Sequence, residues 1–524
     1  MKNIRTGIVF GFIAGLLTFL FGGWSVALIG CLMGVGLGMG LSGRFERKDP
    51  LKIAIAVLPT ALVAGAILVA LSLYQNSVVQ DAIGKRPVSD NIVLYANLIG
   101  FLGAVLFTTL LSALHGLPEK QEQSVKMILL AILIIAFPFI DKFTNLRWTA
   151  QIIFALIFVI LGLGLNIVVG YAGLLDLGYA AFFAIGAYTT GILSSNQHGI
   201  HLNFWLVVPL AAGMAALWGL MLGAPTLGLR GDYLAIVTLG FGEIVPVLFR
   251  NLIDVTIKEP ISCWILPGFN NLMGINATMK CITIMEHVDL TAGEKGISPI
   301  GRPVLPIIGA FKSSDPIPWY FLIIGIIILS VFIMRRLRVS RLGRAWMAIR
   351  EDELAAAQMG IDPKKTKLAA FALGATFSGF AGAFYASYIA GIFPSVFDFS
   401  ASIIILACII LGGIGNINGV IVGGLVLMTA DRLFLPALKD FLASLLTHTI
   451  LPSISNPVVQ LAVKDNANPI LYRFLLFGFT LVFMMSIRPE GLIPNTQVRA
   501  ELHPDELLPV TEADSSIAKI SVKK

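Results

Sequence analysis

Charged side chains are scarce in this chain. Only 13% of its 524 residues are Asp, Glu, Lys or Arg, whereas 57% are hydrophobic and the mean hydropathy is +0.87. A soluble domain carries roughly a quarter charged residues, so this sequence has too little charge to cover the surfaces of soluble domains. The composition excludes a soluble enzyme, a disordered chain, a coiled coil and a disulfide-rich secreted scaffold. It predicts an all-α, polytopic membrane helix bundle.

Motifs for catalysis and for metal binding are also missing from the sequence. There is no GxxxxGK[ST] sequence, so this chain has no loop that could hold the phosphates of ATP. The six histidines form no HExxH pattern, and the four cysteines include no CxxC pair. Cys263 and Cys281 lie in one polar loop, where a disulfide requires that the loop is extracytoplasmic. We predict no enzymatic activity, no metal and no cofactor in this chain.

Long apolar runs are what the sequence has in abundance. Runs able to cross roughly 30 Å of hydrocarbon lie at 6–23, 25–42, 51–74, 92–115, 127–140, 149–170, 171–193, 204–227, 232–250, 317–334, 368–392, 401–430 and 471–487. The run 401–430 is too long for one ordinary span and is interrupted by glycines, which predicts two helices or half-helices. The total is about 11–14 spans, some of them broken or half-helices.

The chain changes character near residue 149, where glycine and polar residues begin to enter the apolar runs. We therefore expect N-terminal accessory helices over 1–115, a functional core domain over 127–490 and a polar cytoplasmic tail over 491–524. Within the core, 340–361 is expected to be cytoplasmic and 251–316 to be an extracytoplasmic loop.

Basic residues predict the orientation of the spans. The segment 335–367 has nine basic and four acidic residues, a net charge of +5, whereas 251–316 has five basic and six acidic residues, a net charge of −1. By the positive-inside rule, 335–367 faces the cytoplasm. Counting the spans on either side of it puts both termini on the cytoplasmic side.

Two segments carry carboxylates inside or beside apolar runs. In the segment 170–188, Asp176 lies between Gly173 and Gly178. This pattern indicates either a broken helix that lines a solute path or an ordinary helix cap near the cytoplasmic surface. Glu243 lies eleven residues into the next apolar helix, about 16 Å along it. It is either on the solute path or a buried structural carboxylate bonded to a neighbouring helix, and the structural role is favoured.

A third segment, 340–361, reads as a cytoplasmic helix from Ala345 to Met359 that ends at Gly360. Trp346 and nearby aliphatic residues form an interrupted apolar stripe. One interpretation is a docking helix for a soluble partner, in which Trp346 and the aliphatic stripe are exposed; the alternative is a charged surface helix between two spans.

At these segments the sequence resembles the LivM-type permeases of branched-chain amino-acid ABC importers. Five motifs in the same order carry the resemblance: GYAGLLDLGYAAFFAIGAY (170–188), LRGDYLAIVTLGFGEI (229–244), SRLGRAWMAIREDELAAAQMGI (340–361), LGGIGNINGVIVGG (411–424) and RPEGLIP (488–494). The resemblance covers 149–494 well and 1–148 loosely.

The resemblance implies one of two dissimilar permease subunits of an importer in the bacterial inner membrane. The implied partners are a LivH-type permease subunit, two cytoplasmic ATPase subunits that use ATP, and an extracytoplasmic protein that binds Leu, Ile or Val. The segment 340–361 would correspond to the EAA loop of ABC permeases, although no Ile-x-Leu-Pro end follows Gly360.

The expected functional residues form two groups. The ATPase-coupling candidates are Trp346, Glu351, Asp352, Glu353, Leu354, Met359 and Gly360. The candidates for the translocation path are Gly173, Asp176, Gly178 and Glu243.

Other functions fit parts of this pattern. A permease for urea or short amides has the same motifs in this family. A secondary carrier would use Asp176 and Glu243 as ion-coupling carboxylates, but neither a carrier nor a channel needs an ATPase-docking helix.

Overall fold

The structure is a computed structural model that describes 148–195, 202–226, 232–253, 289–305, 309–312, 314–436, 469–487 and 490–493, with residue 439 and short pieces between 128 and 142. The chain divides into two compact units, one formed by 1–140 with 441–465 and the other by 141–440 with 466–524. In the first unit, the described residues between 128 and 139 are helical. The predicted accessory helices, both loop cysteines and the tail beyond 493 lie outside the described residues, and the predicted domain boundaries stay a prediction.

The second unit consists almost entirely of helices in its described part. They are α1 (Trp148–Leu165, continued by a π-helix over Asn166–Tyr171), α2 (Tyr179–Ser194), α3 (Phe204–Thr226), α4 (Asp232–Asn251), α5 (Pro316–Val339), α6 (Arg341–Glu351), α7 (Glu353–Gln358), α8 (Pro363–Ile389), α9 (Phe399–Gly412), α10 (Ile417–Thr429, continued by a π-helix over Ala430–Phe434) and α11 (Arg473–Ile487). Short 3₁₀ helices lie at Gly293–Lys295, Pro394–Phe397 and Pro469–Tyr472. Strands β1 (Val304–Leu305) and β2 (Gly309–Ala310) form one antiparallel pair.

Six helices in the described part are long and apolar enough to cross a membrane. They span Trp148–Tyr171, Phe204–Pro225, Tyr233–Asn251, Pro316–Val339, Pro363–Ile389 and Ile417–Phe434. These helices confirm the predicted all-α membrane bundle. The run 401–430 is divided into α9 and α10 as predicted. Asn416 caps α10 because its side chain accepts a hydrogen bond from the backbone N–H of Asn418 at 3.1 Å.

Helix α8 packs closely against two other helices through small residues. A Cβ atom added at Gly379 would lie 2.7 Å from Cα of Ala212 on α3, and one at Gly382 would lie 2.6 Å from the backbone nitrogen of Ala187 on α2. Small side chains let membrane helices approach to backbone contact, which favours tight van der Waals packing. Helix α8 therefore holds α2 and α3 in fixed positions within the unit.

The ends of the helices meet in two groups at opposite ends of the unit. At one end, Arg350 on α6 donates to the carbonyl of Gly170 at the end of α1. At the other end, the backbone N–H of Gly301 donates to the carbonyl of Ser194 at the end of α2. Helix α8 connects the two groups, and its 27 residues correspond to about 40 Å. The segment 341–362 and the residues around 301 therefore lie at opposite ends.

Candidate functional site

The segment 340–361 contains two helices rather than the single helix predicted over 345–359. The chain is extended at Asp352, with φ −153° and ψ 111°, between α6 and α7. The Asp352 carboxylate accepts hydrogen bonds from the backbone N–H groups of Leu354 at 2.8 Å and Ala355 at 3.0 Å. A short acidic side chain competes for backbone donors and favours a helix start. The prediction of a single helix rested on the absence of Pro and Gly from 345–359, whereas the Asp352 cap starts a second helix within that range.

Trp346 is buried, and the expectation that it is exposed is wrong. Its side chain is 0% exposed, and its Nε1 donates to the carbonyl of Thr366 on α8 at 2.8 Å. Ile349, on the same face of α6, is buried as well. An amphipathic helix first buries its apolar face against its own bundle. Trp346 therefore fixes α6 to α8 and is not available for direct contact with a partner.

Glu353 forms an ion pair within this chain. Its Oε1 lies 2.8 Å from Nζ of Lys367 on α8, and the Lys367 side chain is only 7% exposed. A nearly buried ammonium group requires a counter-charge, because desolvation of an unpaired charge is costly. Glu351 and Asp352, by contrast, are exposed. Glu353 thus fastens α7 to α8, while its two acidic neighbours face outwards.

The outer surface of α7, taken together with its C-terminal cap residue Met359, presents two apolar side chains to solvent. Leu354 is 63% exposed and Met359 is 85% exposed. Gly360 follows with φ +86°, a left-handed conformation that glycine adopts without strain, and the chain turns there towards α8.

Asp362 caps the start of α8. The backbone N–H of Lys365 donates a hydrogen bond to its carboxylate at 3.2 Å, and this bond is the main cause of the lowered pKa of Asp362.

The predicted span over 171–193 starts later than expected, at Tyr179, and the α1–α2 link (residues 172–178) precedes it. Asp176 in this link is 1% exposed and accepts a hydrogen bond from the backbone N–H of Gly178 at 2.9 Å. The backbone N–H of Leu177 donates to Oγ1 of Thr238 on α4 at 3.1 Å. The link is therefore attached to α4, and Asp176 is enclosed by its own chain.

Two close approaches hold the link in place on opposite sides. A Cβ atom at Gly178 would overlap the carbonyl oxygen of Thr238, and one at Gly242 would lie 2.8 Å from Cα of Gly178. On the other side, a Cβ atom at Gly173, which is exposed, would lie 2.8 Å from Cγ of Arg350. The α1–α2 link therefore lies between α4 and α6.

Arg350 is a site residue that the sequence argument missed, because it was counted only as a positive charge. Its Nη1 donates to the carbonyl of Gly170 at 2.6 Å. The last carbonyls of a helix lack partners within it, and an arginine in the last turn of the adjacent α6 satisfies one of them. Its position near the glycine-rich 170–178 segment in space could not be read from its position in the chain.

Glu243 is exposed, so the expectation of a buried structural carboxylate is wrong for this chain alone. Among the described residues, no hydrogen bond or ion pair joins its side chain to a neighbouring helix. Glu243 is exposed because of its position around the axis of α4. Glu243 lies on the side of α4 that contains Tyr233, Ile236 and Ile244, all more than 60% exposed.

The fold defines a multispan helical membrane protein. A family model described as the permease component of branched-chain amino acid transport systems matches residues 148–463, more than half of the chain. The chain belongs to this permease family.

Several known relatives are similar to this chain. The high-affinity branched-chain amino acid transport system permease protein LivM of Escherichia coli K12 is 36% identical over 396 residues, which is 75% of this chain and 80% of the relative. The probable LivM permease of Methanocaldococcus jannaschii is 25% identical over 350 residues, 65% of this chain and 92% of the relative. The LivH permease of Salmonella typhimurium is 30% identical over 173 residues, 30% of this chain and 53% of the relative. No solved structure matches the chain.

These comparisons confirm the resemblance to LivM-type permeases and give no support to the reading as an amide permease. The relatives are named as transport permeases, and the expected absence of catalytic activity in this chain stays a prediction. No group of three His, Cys, Asp or Glu side chains lies together as metal ligands within the described ranges.

Proposed function

We propose that this chain is the LivM-type permease subunit of an ABC importer that moves Leu, Ile or Val across the bacterial inner membrane. The observation that carries the proposal is the 36% identity to a LivM permease over 75% of this chain. Because the identity extends over most of both chains, it supports the same kind of subunit and not only a few helices in common. In this proposal, partner subunits hydrolyse ATP and this chain provides part of the path.

The proposed partners are a LivH-type permease subunit, two cytoplasmic ATPases and an extracytoplasmic amino-acid-binding protein. The LivH-named relatives support the first partner, because this chain is similar to them over 173 residues. The other three follow from the ABC importer class alone. Purification of the tagged chain from its own host, followed by mass spectrometry, tests all four.

The proposed orientation places α6 and α7 in the cytoplasm with both termini, and residue 295 outside. The net charge of +5 over 335–367 supports it. Lys295 and Lys364 are both exposed, at opposite ends of the unit. In a variant without its four native cysteines, an impermeant thiol reagent should label Lys295→Cys in intact cells and leave Lys364→Cys unlabelled. Equal labelling contradicts the orientation.

We assign the coupling of this subunit to an ATPase to the outer surface of α7. Leu354 and Met359 supply exposed apolar area at the centre of the proposed contact, where binding energy is usually concentrated. Glu351 and Asp352 are exposed at its edge, where each charge matters less. Trp346 and Glu353 contribute by holding α6 and α7 against α8.

A route from this contact into the bundle runs through Arg350. Its guanidinium binds the end of α1, its stem lies beside Gly173, and the α1–α2 link contacts α4 near Gly178. In the proposal, a displacement of α6 by the ATPases moves the link and α4 together. Asp176 is a positioning residue of this route, whereas Glu243 lies on the exposed side of α4, outside the route.

Transport measurements test the proposed function directly. Membrane vesicles that contain the full system, with the binding protein added on its extracytoplasmic side, should accumulate radiolabelled leucine when ATP is supplied. A protonophore should leave that uptake unchanged, since ATP is the driver. Uptake that the protonophore abolishes while ATP is maintained contradicts the proposal and supports an ion-coupled carrier. Competition by valine but not by urea separates amino-acid from amide transport.

A further inference from the structure

We infer that the exposed side of α4 is the surface that packs against the second permease subunit, with Glu243 bonded to a donor side chain of that subunit. This inference rests on the proposed function and specifies which surface the partner occupies. The α4 face consists of Tyr233, Ile236, Gly240, Glu243, Ile244 and Val247.

The α4 face runs along the whole helix. Apart from the adjacent pair Glu243 and Ile244, its residues recur every three or four positions, and all are exposed, with 72% at Tyr233 and 48% at Val247. Such spacing defines one side of a helix. In its most apolar stretch only 33% of α4 is buried, against 67% for α8. A full side of this helix is therefore available for contact with another molecule.

Glu243 argues against lipid as the occupant of the α4 face. It lies eleven residues after Asp232 in a helix of 20 residues, about 16 Å along an axis of about 30 Å. A carboxylate near the middle of the hydrocarbon layer is costly unless it is paired or hydrated. Helix α5 shows the contrast, because its exposed side at Ile328 and Phe332 is purely apolar at the same depth. The α5 side suits lipid, whereas the α4 face does not.

A second copy of this chain is also a poor occupant. In a twofold contact the same surface meets itself, so a residue at the centre of the face would lie near its own counterpart. Two Glu243 carboxylates would then oppose each other, and like charges that face each other at short distance repel. A different subunit with a hydrogen-bond donor at this point removes that conflict. A related but dissimilar permease therefore fits the face better than a copy.

Gly240 makes close packing possible beside the carboxylate. A Cβ atom added there would have nothing within 4 Å, so the surface is open one turn from Glu243. Small residues on membrane helices let a second helix approach to backbone distance and form interhelical hydrogen bonds. The partner helix that we expect therefore crosses α4 near Gly240 and places its donor opposite Glu243.

Photo-crosslinking in the assembled transporter tests the inference. Ile244 on the α4 face and Ile328 on α5 are both 64% exposed. Two variants, each with a benzophenone amino acid at one of these positions, therefore form a matched pair. We expect at least tenfold more crosslinked product with the second permease subunit from position 244 than from position 328. Crosslinks from position 244 to lipid, to another copy, or to this chain itself would overturn the inference.

Variants of Glu243 test the bond itself. Glu243→Gln keeps a hydrogen-bonding side chain. The amount of second subunit that copurifies with this variant should stay within about twofold of the amount that copurifies with the unmodified chain. Glu243→Leu leaves a donor of the partner without an acceptor and should reduce the recovered second subunit at least fivefold. Full recovery with Glu243→Leu would overturn the pairing. If the unmodified chain recovers no partner at all, the proposed function fails; if partners are recovered but crosslink elsewhere, only this inference fails.

Discussion

Replacement of Trp346 by alanine should release α6 from the bundle. Trp346 is fully buried, and its indole nitrogen donates to Thr366 at 2.8 Å. Truncation of a buried tryptophan to alanine typically costs about 3–5 kcal/mol, which includes the cavity left behind. The loss falls mainly on the contact between α6 and α8, because the indole joins those two helices. Trp346→Phe removes the hydrogen bond but keeps most of the apolar area, so its cost should be nearer about 1 kcal/mol.

Hydrogen–deuterium exchange measures this loss locally. A decrease of about 3 kcal/mol in the free energy of opening corresponds to roughly a hundredfold faster exchange of the α6 amides. Leu354→Ala is the control, since an exposed side chain changes stability by only about 0.5 kcal/mol. If Trp346→Ala leaves α6 exchange unchanged but abolishes ATP hydrolysis, Trp346 contacts the ATPase directly and the anchoring role is wrong.

Two further variant pairs test the packing of the site. Glu353→Gln removes the counter-charge of a nearly buried lysine and should cost about 1–3 kcal/mol, less than for a fully buried pair because Glu353 is 31% exposed. Exposed Glu351→Gln should leave the melting temperature unchanged, and equal effects would show that the ion pair is not stabilising. Gly242→Ala would put a Cβ atom 2.8 Å from Cα of the facing glycine and should cost about 1–3 kcal/mol by overpacking. A Cβ atom added at Gly213 would have nothing within 4 Å, so Gly213→Ala should not lower thermal stability in detergent. A similar loss of stability in the Gly242→Ala and Gly213→Ala variants would contradict the close approach at Gly242.

The helices could be predicted from the sequence because hydrocarbon imposes a length and a composition on every span. Helix α3 (204–226) and the division of 401–430 into α9 and α10 follow the apolar runs closely. The turn at Gly360 was also predictable, because a helix commonly ends before glycine. These features depend on local chemistry, which is written in neighbouring residues.

The contacts within the site could not be predicted, because they depend on how distant segments meet. Nothing near Trp346 in the chain shows that it packs on α8. The partner of Glu353 lies 14 positions away on another helix, and Arg350 binds a carbonyl 180 positions earlier. Burial of Glu243 was expected from its depth alone, whereas its exposure depends on which side of α4 faces the bundle.

The coupling of this permease to an ATPase is assigned to the outer surface of α7. Solute-stimulated ATP hydrolysis by the reconstituted complex, with binding protein and leucine, tests it through Leu354→Asp against Leu354→Met. An aspartate at a central apolar contact should cost at least about 2 kcal/mol of binding, so the Asp variant should insert normally but lose stimulated hydrolysis and most of its bound ATPase. The Met variant keeps the apolar surface and should behave like the unmodified protein. Normal hydrolysis and normal recovery of the ATPase with Leu354→Asp would contradict the assignment.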